Sequence, residues 1–431
     1  MDRSVRARRR APARGRIGAD GIGSDMGLWA GRLGGRKPVS AAAAAILAVA
    51  LGACSGGGDD KPAGTVKPAG TLGPGEGALS LVTLPGYLEN GGSDPRVDWV
   101  TPFEERTGCK VSWRAVKDVR EMTDLMQNRA RRYDGVSAPP EVAGRLIANG
   151  HVAPVNPDLV DGYKKLEPRL RGLLRKNGEH YGVPFVWSSN LVMYDTQAVQ
   201  PAPGGWGALL DPAQARRYSG RIIMRDSPLT LAEAALYLKN KDRKLKISDP
   251  YSLTPPQLAA AAKVLAAQRP YVKDYWERPA DAVAAFASGG AVLGEAWPYP
   301  VDVLNRAGRQ VQAVAASDGV TGWMNAWMVG ARAEHPNCMY QWLQWTASPD
   351  VQQQVAEWNG VAPANPQACS DDRLKSGFCG AHHVGDRGYL DKVIFAHTPV
   401  RECAAAGAAG GKRECTDYDD WTRAWIEATQ K

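Results

Sequence analysis

The side chains best suited to hold a small molecule are tryptophans set among short polar residues. Trp187 lies in Pro184-Phe185-Val186-Trp187-Ser188-Ser189-Asn190, Trp297 closes Gly294-Glu295-Ala296-Trp297, and Trp323 and Trp327 flank Asn325 in Gly322-Trp323-Met324-Asn325-Ala326-Trp327. Along a strand, residues 323, 325 and 327 share one face. Aromatic faces can sandwich the apolar stem or the cation of a ligand while amide and hydroxyl groups orient it. Core packing competes as an explanation for each of them, because aromatics are good core and strand residues. Trp342, Trp345 and Trp358 recur at helical spacing and read as packing. Of the 14 tryptophans, only Trp29 falls in the first 53 residues.

Catalytic constellations are missing by contrast. The sequence holds no Gly-x-Ser-x-Gly elbow, no His-Glu-x-x-His, no phosphate loop and no dinucleotide fingerprint. His382-His383 are adjacent rather than three or four apart, so they read as an exposed pair and not as metal ligands. No Cys-x-x-Cys occurs, which leaves zinc or redox chemistry without support. A two-carboxylate glycan hydrolase, with tryptophans as sugar platforms, stays as the alternative, since such acids come from distant segments.

The elements around these residues begin with an export segment. A basic stretch ends in Gly35-Arg36-Lys37, and the apolar run Ala41–Ala50 leads to Leu51-Gly52-Ala53-Cys54. Charge, a short apolar core and small residues make a signal-peptide pattern. The run is shorter than the roughly 20 residues a spanning helix needs. Leu51-Gly52-Ala53-Cys54 resembles a bacterial lipobox, which implies cleavage after residue 53 and a lipid on Cys54. Met26 is the expected start, because the arginine-rich stretch before it exceeds what a leader needs. Residues 54–77 are rich in Gly, Pro and Thr and read as a flexible tether.

The formal charge of +8 suggests nucleic acid or acidic lipid at first sight, but residues 1–53 hold nine Arg and one Lys against three Asp, which is +7, so the rest is near +1. Arg129-Ala130-Arg131-Arg132 is the nearest thing to a basic patch and reads as a solvated helix end. Six cysteines remain beyond Cys54, an even number that suits disulfides in an exported chain. They allow 15 pairings. Short closure favours Cys369–Cys379 and Cys403–Cys415, which leaves Cys109–Cys338.

The body from Ala78 onward is long enough for two domains. Leu79–Leu84 reads as a strand, Val97–Thr107 as a helix stopped by Gly108, and Cys109–Trp113 as the next strand, a βαβ pattern that implies a parallel sheet. Arg221–Met224 and Ala291–Trp297 read as strands. Thr230–Lys239, Leu258–Gln268, Pro336–Thr346 and Asp350–Trp358 read as helices. The class is α/β.

In order along the body, Phe103–Val111, Tyr133-Asp134-Gly135-Val136, Tyr181-Gly182-Val183-Pro184, Trp297 and Ser348-Pro349-Asp350-Val351 resemble landmarks of the solute-binding proteins of ABC importers, nearest the spermidine/putrescine branch. The resemblance implies a two-lobe periplasmic-binding-protein-like fold (type II) with a ligand cleft between lobes. It implies lobe 1 from residues 78–190 and 321–365, lobe 2 from 191–320 and 366–431, and crossovers near Ser188–Leu191 and Gly319–Gly322. Cys109 and Cys338 then share a lobe.

Residue by residue, Trp297 and Trp323 match tryptophans of the family's cleft, and Tyr87 stands where the family has a tyrosine. The loop that supplies two carboxylates to a polyamine reads Asp226-Ser227-Pro228-Leu229-Thr230 here, with Ser227 and Thr230 at the acid positions, and Asn325 replaces a third acid. Asp226, Glu295 and Glu141 are the acids left to balance a cation. The expected ligand set is therefore Tyr87, Trp187, Asp226, Ser227, Thr230, Glu295, Trp297, Trp323, Asn325 and Trp327. The implied function is capture of a small polar or cationic, polyamine-like solute for an ABC permease. The chain is expected as a monomer with no cofactor and no nucleic acid, lipid-anchored on the outer face of the cytoplasmic membrane, a periplasmic-equivalent space.

Overall fold

The computed structural model describes residues 69–430 apart from Arg129, 371–373, 375–376 and 405–410. The expected leader, Cys54 and the tether up to residue 68 lie outside the described residues. Among those described, no helix is long and apolar enough to cross a membrane.

Two sheets organise the chain. The first has eight strands, in the order Ala362–Pro363, Val183–Ser189, Val320–Gly330, Gly135–Ala138, Ala78–Thr83, Lys110–Ala115, with Val152–Ala153 and Val393–Phe395 also paired to Val320–Gly330. The second has five, in the order Val272–Trp276, Ile222–Arg225, Leu293–Ala296, Leu191–Asp195, Val311–Val314. Each sheet is parallel only in part. Ala78–Thr83 is parallel to both its neighbours, but Val320–Gly330 runs antiparallel to Gly135–Ala138 and to Val183–Ser189. The βαβ reading caught the parallel half; the long returning strand makes the first sheet mixed, and Leu191–Asp195, antiparallel to both Leu293–Ala296 and Val311–Val314, does so in the second.

The chain passes from one sheet to the other at Asn190, between Val183–Ser189 and Leu191–Asp195, and returns before Val320–Gly330. Asn190 N donates to Thr321 O at 2.9 Å, so the two passages are bonded side by side. The stretch beyond residue 366 serves both sheets. Val393–Phe395 joins the first, while helix Tyr418–Thr429 packs Trp421 and Trp425 into the apolar core of the second.

The first helix is shorter than its expected span, Thr101–Thr107 instead of Val97–Thr107. Asp98 Oδ1 accepts from the amides of Val100 and Thr101, which caps the chain there, and Pro102 needs no amide partner in a first turn. Gly108, at φ 73°, ends it in the left-handed region, where the lack of a Cβ removes the steric penalty.

The last residues of the expected tether are docked. Glu76 accepts from the amides of Asn337 and Cys338 at the start of helix Pro336–Ala347, and Lys110 N donates to Gly77 O. All three disulfides form: Cys109–Cys338, Cys369–Cys379 and Cys403–Cys415. His382 departs from its reading as an exposed residue. It is 1% exposed and stacks on Phe378, with ring centroids 4.1 Å apart. Among the described residues no group of three or more His, Cys, Asp or Glu could hold a metal ion.

Candidate functional site

The seam between the sheets is built on strand ends. Ile222–Arg225 and Leu293–Ala296 run parallel and finish together, which brings Arg225, Glu295 and Trp297 to one edge of the second lobe. Ligands of open α/β sheets bind at such carboxyl ends. Gly294 permits the close pairing, for a Cβ there would lie 2.7 Å from Ile223 O.

Three tryptophans make one wall. Trp276 meets Trp297 edge-on at 5.3 Å and 87°, and Trp297 meets Trp323 at 4.8 Å and 54°. Trp323 comes from the long strand of the first lobe, so the wall spans the seam. Trp276 Nε1 donates to Glu295 O at 2.9 Å and Trp297 Nε1 to Asn190 Oδ1 at 3.0 Å, which fixes both rings.

Arg225 lies on that wall. Its Cζ is 5.3 Å from the Trp297 ring centroid, a cation–π contact. From the first lobe, Glu141 in the first turn of helix Pro140–Ala148 brings Oε1 to 3.7 Å from the guanidinium. The phenols of Tyr87 and Tyr418 are pushed upward in pKa, in each case mainly by burial, with Arg225 opposing and Glu141 adding.

Two buried acids stand behind the wall. Glu295 is fully buried; Oε2 accepts from Arg225 N at 3.3 Å, and Oε1 has no partner among the described residues. Burial lifts its carboxyl well above the usual range, the neighbouring Glu233 adds to this, and Arg225 opposes it. Glu233, in the first turn of helix Leu231–Lys241, accepts through Oε1 from Asn190 Nδ2 at 3.0 Å and from Thr321 Oγ1. Burial raises its carboxyl too, against those hydrogen bonds and Arg225.

The expected ligand residues divide accordingly. Tyr87, Glu295, Trp297 and Trp323 gather at the seam. Asp226 is exposed, and its Oδ1 accepts from Trp425 Nε1 at 2.9 Å. Ser227 Oγ accepts from Leu229 N, and Thr230 Oγ1 donates to Arg225 O, so both hydroxyls shape the loop. Asn325 is buried in the long strand. Trp187 and Trp327 are placed in the first lobe's core: Trp187 Nε1 donates to Pro363 O, and Trp327 packs on Phe185 and Trp342. The sequence reading missed Arg225, Asn190, Glu233 and Thr321. For Arg225 a signal was present, as it ends an apolar strand just before the loop the resemblance marked.

A cavity of about 330 Å³, lined by Glu141 but by none of Arg225, Trp276, Trp297 and Trp323, opens between the lobes, with Glu141 and Arg145 on one side and Asp226, Tyr418, Asp419 and Trp425 on the other. Arg145 and Asp419 bridge it at 3.0 Å. Larger depressions of about 740 and 770 Å³ lie on the second lobe, away from the seam.

Residues 98–377 match the family described as "Bacterial extracellular solute-binding protein". The chain is 23% identical over 266 residues to the spermidine/putrescine-binding periplasmic protein of Escherichia coli (strain K12), covering 61% of this chain and 72% of that one. It superposes on a putative spermidine/putrescine ABC transporter from Listeria monocytogenes with a TM-score of 0.63 at 16% identity, covering 82% of this chain and 98% of the other. It also superposes on the PBP MotA from A. tumefaciens B6 in complex with glucopine, with a TM-score of 0.58 at 14% identity and coverage of 81% and 99%. At these identities the likeness shows the fold, a two-lobed α/β architecture of the type II periplasmic binding proteins.

Proposed function

The chain belongs to the bacterial extracellular solute-binding protein family, and from that premise we propose that it captures a small polar or cationic solute outside the cell and hands it to an ABC permease. The observation that carries this reading is the wall of Trp276, Trp297 and Trp323, contributed by both lobes and backed by buried Glu295. Aromatic faces and a few fixed polar groups are what a small-solute site requires. The named relatives are associated with spermidine and putrescine in two cases and glucopine in the third, so the fold alone does not choose the solute.

In this reading the lobes, 78–190 with 321–365 and 191–320 with 366–431 save for Val393–Phe395, which pairs in the first sheet, close over the solute by bending at the passages around Asn190 and Thr321. Tyr87, Glu295, Trp297 and Trp323 form the ligand set, with no chemistry of their own to perform. Cys54 carries the lipid after removal of residues 1–53, and a monomer stands at the outer face of the membrane near its permease. The family and relatives give the glycan-hydrolase alternative no support.

A thermal-shift panel of polyamines, amino acids, betaines and sugars tests the reading on residues 55–431. A solute at 100 times its dissociation constant stabilises by about 2.7 kcal/mol, and Trp297→Ala removes the response. Silence across the panel would sink it. Membrane fractionation of wild type against Cys54→Ala tests the anchor, and equal release of the two would count against it.

A further inference from the structure

Arg225 holds the place on Trp297 that a bound cation would take. Its guanidinium is covalently part of the wall, 5.3 Å from the ring centroid, with only 17% of the side chain exposed. Its one ion-pair partner among the described residues, Glu141 Oε1, is 3.7 Å away, beyond the 2.7–2.9 Å of a charge-assisted hydrogen bond, and the buried acids Glu295 and Glu233 act on it from further off. Among the described residues the guanidinium donates no hydrogen bond, although it carries five N–H donors in a planar fork. A half-buried fork with unused donors is matched by a carboxylate, which can engage it through two parallel bonds.

The neighbouring cavity reaches Arg225 through Glu141, since Arg225 itself does not line it. Glu141 is both a wall of the cavity of about 330 Å³ and the partner of Arg225. Tyr418 lines the same cavity and feels both charges. Acids outnumber bases in its lining: Asp118, Asp124, Glu141, Asp226 and Asp419 stand against Arg120 and Arg145, the latter paired to Asp419. A solute with a carboxylate at one end and an ammonium at the other fits this order of charges, anion inward on Arg225 and cation outward on the acids. A diamine has no such fit. One of its ammonium groups would have to share the Trp297 face with a fixed guanidinium, and like charges repel strongly where water is excluded.

We propose that Arg225 is the specificity-determining residue of this cleft, selecting a small amino carboxylate and excluding di- and polyamines. The inference rests on the solute-binding reading above and narrows it to a ligand class. Were the Arg225–Glu141 pair only a structural contact between lobes, replacing Arg225 would lower stability without reordering ligands.

Three probes with the same four-carbon chain separate these cases: butane-1,4-diamine, 4-aminobutanoate and butanedioate, titrated calorimetrically into purified full-length protein. Wild type is expected to bind 4-aminobutanoate at least about tenfold more tightly than the diamine, a difference of about 1.4 kcal/mol. Arg225→Ala is expected to gain diamine binding, a change that misfolding cannot produce. Arg225→Lys keeps the exclusion of the diamine and weakens the amino carboxylate, because an ammonium lacks the fork. Diamine binding by wild type as tight as that of 4-aminobutanoate, or the same ranking in Arg225→Ala, would overturn the inference and leave the solute-binding reading standing. A wild type that responds only to sugars or betaines does the same, whereas silence toward every solute overturns both.

Discussion

Asn190 Nδ2 lies 3.0 Å from Glu233 Oε1, and the same carboxylate oxygen accepts from Thr321 Oγ1. A helix of the second lobe thus holds, through one buried oxygen, the two places where the chain passes between lobes. Asn190 Oδ1 in turn accepts from Trp297 Nε1 at 3.0 Å, so the hinge and the aromatic wall share a hydrogen-bond network. Under the proposed function, closure of the lobes and placement of the ligand face are coupled through this network.

Glu233→Leu leaves the buried Thr321 hydroxyl without its acceptor and strips Asn190 of one partner. A buried polar group left unpaired costs about 1–3 kcal/mol, and a loss of about 2 kcal/mol in urea denaturation at pH 7 is expected. Glu233→Gln keeps an oxygen for both donors and is expected to lose less than about 1 kcal/mol. Equal losses in the two variants would show that the carboxylate does not hold the passages.

Glu295 gives stability a pH dependence of definite sign. Its carboxyl is raised above the ordinary 4.5 mainly by burial, so the folded chain binds a proton that the unfolded chain releases. Its contribution is fully present below about pH 4.5 and is lost as pH rises through the folded value. Glu295→Gln keeps an acceptor for Arg225 N but cannot ionise. The variant should melt above wild type at pH 8, with the gap closing toward pH 5. A gap that does not change with pH refutes the burial argument.

The fold was legible from residues 79–113 because strand, glycine-capped helix and strand follow one another in order, the last two joined only by Gly108 and Cys109, and each signal is local. The seam was legible only in part. Trp297 and Trp323 stand at strand ends, and the resemblance pointed to them. Arg225 ends an apolar strand just before the loop where Ser227 and Thr230 stand at acid positions, but its role depends on Trp297 lying beneath it, which only tertiary packing sets. Glu233 reads as an ordinary acid in the first turn of an alanine-rich helix. Only the passage of two distant strands beneath that turn makes it a buried partner. Trp187 and Trp327 share spacing and composition with the wall tryptophans, and which side of the sheet faces the other lobe is set by tertiary packing.

His382 works in the opposite direction to Glu295. Burial depresses its imidazole to about 3, the positive charge near it adds to this, and neither ring nitrogen has a partner among the described residues. The stability that a depressed histidine lends is present above its unfolded value of 6.5 and lost as pH falls toward the folded one. At pH 5 that loss is about 2 kcal/mol, at about 1.36 kcal/mol per pH unit. His382→Leu should therefore gain on wild type between pH 7.5 and pH 5 in paired denaturation curves. Parallel curves would mean that the imidazole finds a proton-accepting partner in the folded chain.

Gly322 sits where three strands meet at the return passage, paired to Ser189 on one side and Phe395 on the other. A Cβ there would lie 2.9 Å from Ser188 O and 2.5 Å from Val393 Cγ1. Backbone oxygen cannot swing aside as a flexible side chain can, so Gly322→Ala must part the strands beside Thr321 and loosen the Glu233 clasp. Forcing a methyl into a packed site costs about 1–3 kcal/mol. Gly172→Ala is the control, since a Cβ there meets nothing within 4 Å, and at such a position alanine is neutral or stabilising by up to about 1 kcal/mol. A drop in melting temperature for Gly322→Ala, with none for Gly172→Ala, is expected. Pairing Gly322→Ala with Glu233→Leu should then destabilise by less than the sum of the single losses, because both act on the contact between Thr321 and Glu233. Strict additivity would mean that the crowding at Gly322 is absorbed elsewhere, in the strand Val393–Phe395.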